Sequence, residues 1–160
     1  MKDESVTRTG TSQSVSVVTD AAIPKLFDYL TVPSNHVRLD GSGKLVSAGD
    51  DAVRAVGDRF QVNMDFLPRG KYTVENVVVA FEPDVQIAWM PANPGGEPVG
   101  IRWDWEFDVG PKGETVITQT CDWSRVTDEK YLATYTLPRI SAEEMRESIK
   151  RLIDLVSSYA

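Results

Sequence analysis

Cysteine and histidine are nearly absent: the 160 residues hold one of each. A lone Cys121 allows no intramolecular disulfide and no cysteine-based metal shell, and it points to a reducing, cytoplasmic setting. A lone His36 must serve any mechanism that needs an imidazole, and without a third His or Cys no metal site is expected. Long apolar runs are missing too. No stretch of about 18 such residues could span a membrane, and the polar segment from Met1 to Ser14 lacks a signal-peptide core. Positive charge is in deficit, with 17 Lys and Arg against 24 Asp and Glu and a net charge of −7. Such a chain is repelled by nucleic acid. Its densest basic group, Arg146, Lys150 and Arg151, is interleaved with Glu143, Glu144 and Glu147 and reads as a solvated helix face. Gly41-Ser42-Gly43 lacks the lysine and helix start of a phosphate loop, and no serine nucleophile elbow occurs.

What is present is an ordinary globular balance, 41% hydrophobic and 26% charged, in a length that suits one domain. Residues 1–11 read as a flexible polar segment and 12–160 as a single domain. Ser14 to Val18 alternates as a strand. Pro24 opens a short helix whose Leu26, Phe27 and Leu30 share a face, and Pro33 opens a second that Gly41-Ser42-Gly43 stops. From about residue 44 to 123 the signal is β. Phe60, Val62, Met64 and Phe66 alternate with polar residues, Tyr72 to Phe81 and Val85 to Met90 flank the turn Glu82-Pro83-Asp84, and Pro91 to Pro98 reads as a loop. Ile101, Trp103, Trp105 and Phe107 alternate with Arg102, Asp104, Glu106 and Asp108, and Thr115 to Trp123 returns the chain. Short turns between these runs imply antiparallel pairing. Ser141 and Glu144 form a capping box for a long helix striped by Met145, Ile149, Leu152, Ile153 and Val156. The reading is an α+β protein: a curved antiparallel sheet of about six or seven strands around one long C-terminal helix, with two short helices after the first strand.

This order, the stretch Pro33-Ser34-Asn35-His36-Val37-Arg38-Leu39-Asp40-Gly41-Ser42-Gly43, the run Tyr72 to Pro83 with Ile87-Ala88-Trp89, and Thr118 to Ser124 resemble the START-related and polyketide-cyclase-like (SRPBCC) superfamily. The resemblance implies a helix-grip fold with an apolar cavity between sheet and helix. Ile23 stands where members often carry a Ser or Asp cap.

The candidate site follows from parity and from the one histidine. Asp40 lies four residues after His36, so on a helix the two share a face. They read either as an acid/base pair, with Arg38 as an oxyanion partner, or as a hydrogen bond that fixes the helix end. Met64, Tyr72, Trp89, Trp103, Trp105, Gln119 and Trp123 on the sheet, with Met145, Ile149 and Ile153 on the helix, are the candidate ligand contacts. Cys121, mid-strand, reads as an inert small hydrophobe rather than a nucleophile. Three functions remain open: a carrier for an apolar lipid, polyketide or similar ligand; a cyclase or dehydratase using His36 and Asp40; or an interaction scaffold with a filled core. No cofactor, metal or nucleic acid is expected, and the chain would act as a monomer or homodimer.

Overall fold

A computed structural model describes residues 4–158. Eight strands, β1 (Glu4–Arg8), β2 (Ser12–Thr19), β3 (Leu45–Ala48), β4 (Arg59–Phe66), β5 (Gly70–Glu82), β6 (Gln86–Ala92), β7 (Arg102–Val109) and β8 (Thr115–Asp122), form one sheet in the order β1-β2-β8-β7-β6-β5-β4-β3. All pairings are antiparallel: six join consecutive strands, as short connections favour, and the seventh brings β2 beside β8. Four helices accompany it: α1 (Ile23–Leu30), α2 (Pro33–Leu39), α3 (Glu129–Thr134) and α4 (Ala142–Ser157). The fold is α+β and of the helix-grip type, with α4 against the concave face of the curved sheet.

The structure adds three elements to the sequence reading. Glu4–Arg8 is not a loose segment but an edge strand on β2, anchored where Glu4 pairs with Arg146 and Lys150 of α4. Four of its five residues are exposed, so neither face carries the apolar alternation that would register as a strand. Residues 1–3 and 159–160 of the expected segments lie outside the described residues. The short β3 closes the far edge of the sheet, and α3 sits in the connection before α4.

Side-chain parity holds along most strands. Val15 and Val17 on β2, Phe60 and Val62 on β4, Ile87 and Trp89 on β6, Trp105 and Phe107 on β7, and Ile117 and Cys121 on β8 are all buried on the inner face. In β5 the register shifts between Val78 and Ala80, which turns Phe81 rather than Ala80 inward, against the edge of Phe27 at 5.4 Å between ring centroids. Such a bulge bends the strand and helps the sheet curl. On the outer face of β7 the four charged residues do not all meet water. Asp104 is 9% exposed and accepts hydrogen bonds from Gln86 Nε2 at 3.0 Å and from Arg102 at 3.1 and 3.2 Å, so its charge is buried with partners.

The capping box of α4 forms as the sequence indicates: Ser141 Oγ accepts from Glu144 N at 3.1 Å and Glu144 Oε1 accepts from Ser141 N at 2.9 Å. Met145, Ile149, Leu152 and Val156 face the core. The first helix begins without a side-chain cap, relying on Pro24 in its opening turn. Helix α4 packs on β2 and β8 and against α1 and α2. It therefore lies toward one side of the sheet. Gly41 permits the approach of α2's end to α4, since a Cβ there would stand 2.5 Å from the Glu144 carbonyl oxygen and 2.8 Å from Glu147 Cβ. The inner face of β4 to β7 is left without the helix above it.

Candidate functional site

That uncovered face is a pocket of about 200 Å³. Its floor is built by inward residues of five strands: Val62, Met64 and Phe66; Tyr72, Val74 and Asn76; Trp89 and Pro91; Trp103 and Trp105; Gln119 and Cys121. Leu30, His36 and Leu39 of the short helices and Ser148 of α4 complete it. Loops supply the rest, notably Asp40, Ser42 and Lys44 after α2, Arg69 in the β4–β5 hairpin, Asn93 and Val99 between β6 and β7, and Tyr131, Leu137, Arg139 and Ile140 around and after α3.

Of the ligand contacts read from sequence, Met64, Tyr72, Trp89, Trp103, Trp105 and Gln119 line this pocket, while Trp123, Met145, Ile149 and Ile153 do not. Trp123 shares the parity of Cys121 but follows the end of β8 and packs at the margin of the core. Met145 and Ile149 are fully buried, yet they face β2 and β8 because α4 leans that way; Ile153 is only partly buried. The helix residue that borders the pocket is Ser148, whose hydroxyl accepts from the Gly41 N–H at 2.8 Å and donates to the Glu144 carbonyl at 3.1 Å.

His36 and Asp40 both line the pocket, but they are not a pair. His36 Nε2–H donates to the carbonyl oxygen of Leu30 at 2.6 Å, and the ring stacks on Trp89 with centroids 4.7 Å apart and planes 12° apart. Phe60 meets it edge-on at 5.4 Å. Leu30 ends α1, so its carbonyl has no partner within the helix; His36 supplies one, and Asn35 Nδ2 does the same for Tyr29 at 3.0 Å. The imidazole is 6% exposed, and burial holds its pKa down to about 4, the Leu30 bond opposing only in part. At neutral pH it is an uncharged brace between the two short helices.

Asp40 is committed elsewhere. One carboxylate oxygen accepts from the Ser42 N–H at 2.9 Å and the Ser42 hydroxyl at 2.6 Å, and the other accepts from the N–H groups of Lys44 and Leu45, both at 3.1 Å. It fixes the Gly41-Ser42-Gly43 turn. Arg38 points out of the site: it is exposed, does not line the pocket, and donates to Asn35 Oδ1 at 3.3 Å. The proposed acid/base pair with an arginine partner therefore does not assemble. The four-residue spacing is helical only as far as Leu39, and Asp40 is where the helix ends.

The residues that sequence reasoning missed sit on the connections between the main elements, Tyr131 within the short α3 and Lys44, Arg69 and Arg139 in loops. Arg139 Nη1 donates to the Tyr131 hydroxyl at 2.9 Å and Nη2 to the Tyr72 hydroxyl at 2.8 Å. Its guanidinium lies over the rings of Phe66 and Tyr135, 4.3 and 4.0 Å from the centroids. Lys44 Nζ lies 4.1 Å from the Phe66 centroid and donates to the Arg139 carbonyl. Burial pushes the Lys44 ammonium below the usual lysine value and the Tyr131 phenol above the usual tyrosine value. Gln119 is 7% exposed, and its Oε1 has no hydrogen-bond partner among the described residues. Among the described residues no group of three His, Cys, Asp or Glu could hold a metal ion, and no helix is long and apolar enough to cross a membrane.

No family model matches the chain. An uncharacterised Mycobacterium tuberculosis protein, Rv0088, is 34% identical over 117 residues, which are 70% of this chain and 46% of that protein. The chain thus spans about half the length of the curated relatives it matches. Protein Ms6760 from Mycobacterium smegmatis superposes over 98% of both chains with a TM-score of 0.67 at 15% identity. A protein from Arthrobacter aurescens, solved in solution, superposes over 96% of this chain and 91% of its own with a TM-score of 0.66 at 18% identity. The Aha1 dimer from Colwellia psychrerythraea covers 91% of this chain and 95% of its own, with a TM-score of 0.56 at 13% identity. These likenesses establish the fold.

Proposed function

We propose that residues 12–160 form a START-related small-molecule binding domain, a carrier or receptor for a compact apolar ligand held between sheet and helix. One observation supports this reading: an apolar pocket of about 200 Å³, walled by Trp89, Trp103 and Trp105, surrounds a buried amide on Gln119 whose oxygen has no partner among the described residues. A native fold rarely leaves a buried polar atom unmatched, and a ligand supplies the match. The size argues for a ring or two rather than a whole lipid, since an apolar cavity of roughly 150 Å³ takes one benzene ring. Carriage suits the site better than catalysis. The one imidazole is held uncharged and tied to Leu30, and the neighbouring carboxylate is spent on a turn. The free, buried Cys121 accords with a cytoplasmic setting.

The test is isothermal titration calorimetry with neutral probes such as indole and 2-naphthol. Saturable heat changes are expected in the wild-type protein and not in Val74→Trp, which would fill the pocket from β5; thermal melting of the variant checks that it folds. No saturable response from any probe, together with no co-purified small molecule in native mass spectrometry of protein from its own host, would refute the reading.

A further inference from the structure

The polar groups around the pocket are arranged with a bias that goes beyond a general apolar site. Lys44, Arg69 and Arg139 all line it, in a chain whose net charge is −7. Among the described residues none of the three lies in an ion pair. The one carboxylate in the lining, Asp40, has both oxygens occupied by the turn it fixes.

The two tyrosines are set for donation. Arg139 has only donors, so both phenol oxygens serve it as acceptors. Each phenol O–H is then free to donate to a third group. The guanidinium lies over the faces of Phe66 and Tyr135, and its Nε is buried without a partner among the described residues. Two phenol hydrogens, an ammonium and a guanidinium thus stand fixed together, and a carboxylate or enolate oxygen is the group they fit.

Gln119 supplies the second polar point. Its amide can turn either its carbonyl or its NH2 inward, and a ligand hydroxyl, which donates and accepts, matches it in both orientations.

We infer that the ligand is a ring-sized weak acid whose anionic oxygen meets Tyr72, Tyr131, Arg139 and Lys44 and whose hydroxyl meets Gln119. This rests on the small-molecule reading above and specifies its chemistry.

Isothermal titration calorimetry with 3-(4-hydroxyphenyl)propanoate, 3-phenylpropanoate and the amides of both tests it. The acids should bind at least about tenfold more tightly than their amides, as a charge-assisted contact warrants. That ratio should shrink to within about threefold in Arg139→Met and in Lys44→Met, with melting curves showing that each variant folds. Lys44→Met keeps the test open if loss of the Arg139 stacking unfolds the chain. Gln119→Leu should erase the preference for the hydroxylated acid while leaving the acid-to-amide ratio intact. Amides that bind as tightly as acids, or a ratio that survives both cation substitutions, would overturn the inference and leave the pocket reading standing. Silence from all four probes and from the neutral probes would overturn both.

Discussion

The buried, uncharged His36 makes stability depend on acidity in a way that can be computed. In the fold its pKa is about 4, against 6.5 when exposed. Between those values the unfolded chain binds a proton that the folded chain refuses. Stability is therefore unaffected above about pH 7.5 and is lost as pH falls from 6.5 toward 4. With one pKa unit worth about 1.4 kcal/mol, the loss comes to about 2 kcal/mol at pH 5 and about 3 kcal/mol at pH 4. Carboxylates also titrate in this range, so the comparison must be with a variant that lacks only the histidine. His36→Phe keeps an aromatic ring against Trp89 and Phe60 but leaves the Leu30 carbonyl without its donor. That omission costs about 1–3 kcal/mol at every pH. Urea unfolding followed by tryptophan fluorescence should then give a wild-type advantage near pH 7.5 that shrinks steadily below pH 6.5, vanishes at a pH between about 6 and 4 set by the size of that cost, and turns into a disadvantage below it. Parallel stability curves for the two proteins would refute the argument, because they would mean that His36 takes up its proton in the fold as readily as outside it.

Two further outcomes follow from the packing. Gly41→Ala should cost about 1–3 kcal/mol, read as a lowered melting temperature, because the new Cβ meets Glu144 backbone and Glu147 Cβ and must push α2's end away from α4; an unchanged melting temperature would contradict the close approach. Cys121 is 3% exposed, and burial, with the neighbouring Asp122 charge, pushes its thiol up to about 12, so a disulfide exchange reagent at pH 8 should react with it only after urea is added.

The strands and the long helix were legible because period and capping are local properties. The alternation of Ile101, Trp103, Trp105 and Phe107 needs only a pleated strand with one wet face, and Ser141 with Glu144 needs only a helix start. Where the reading failed, a second strand or a distant charge decided. Glu4–Arg8 becomes a strand through β2 and two cations on α4. Asp104 is buried on the outer face because Gln86 on β6 and Arg102 reach it, which the alternation along β7 alone does not show. The bulge that turns Phe81 inward leaves no mark in a run as uniformly apolar as Val77 to Phe81.

The site divides along the same line, and the division bears on what the protein recognises. Parity finds the floor: six of the seven sheet residues named from sequence line the pocket, and Trp123 misses only because β8 ends at Asp122. Parity says nothing of loops, where side-chain direction depends on long-range contacts. Lys44, Arg69, Tyr131 and Arg139 come from three separate connections, and each looks like an ordinary surface residue in its own neighbourhood. Only the fold brings them to one opening. The helix contacts failed for a different reason. An amphipathic stripe identifies which face of α4 is buried but not which part of the sheet it covers, and here it covers β2 and β8. That offset creates the pocket. The strands and α4 thus set its volume and apolar shape, while the loops set its charge. Related sheets with different loops would keep an apolar cavity of similar size and lose the preference for an acid, so selectivity should move with residues 40–44, 66–72 and 131–140 rather than with the tryptophan floor.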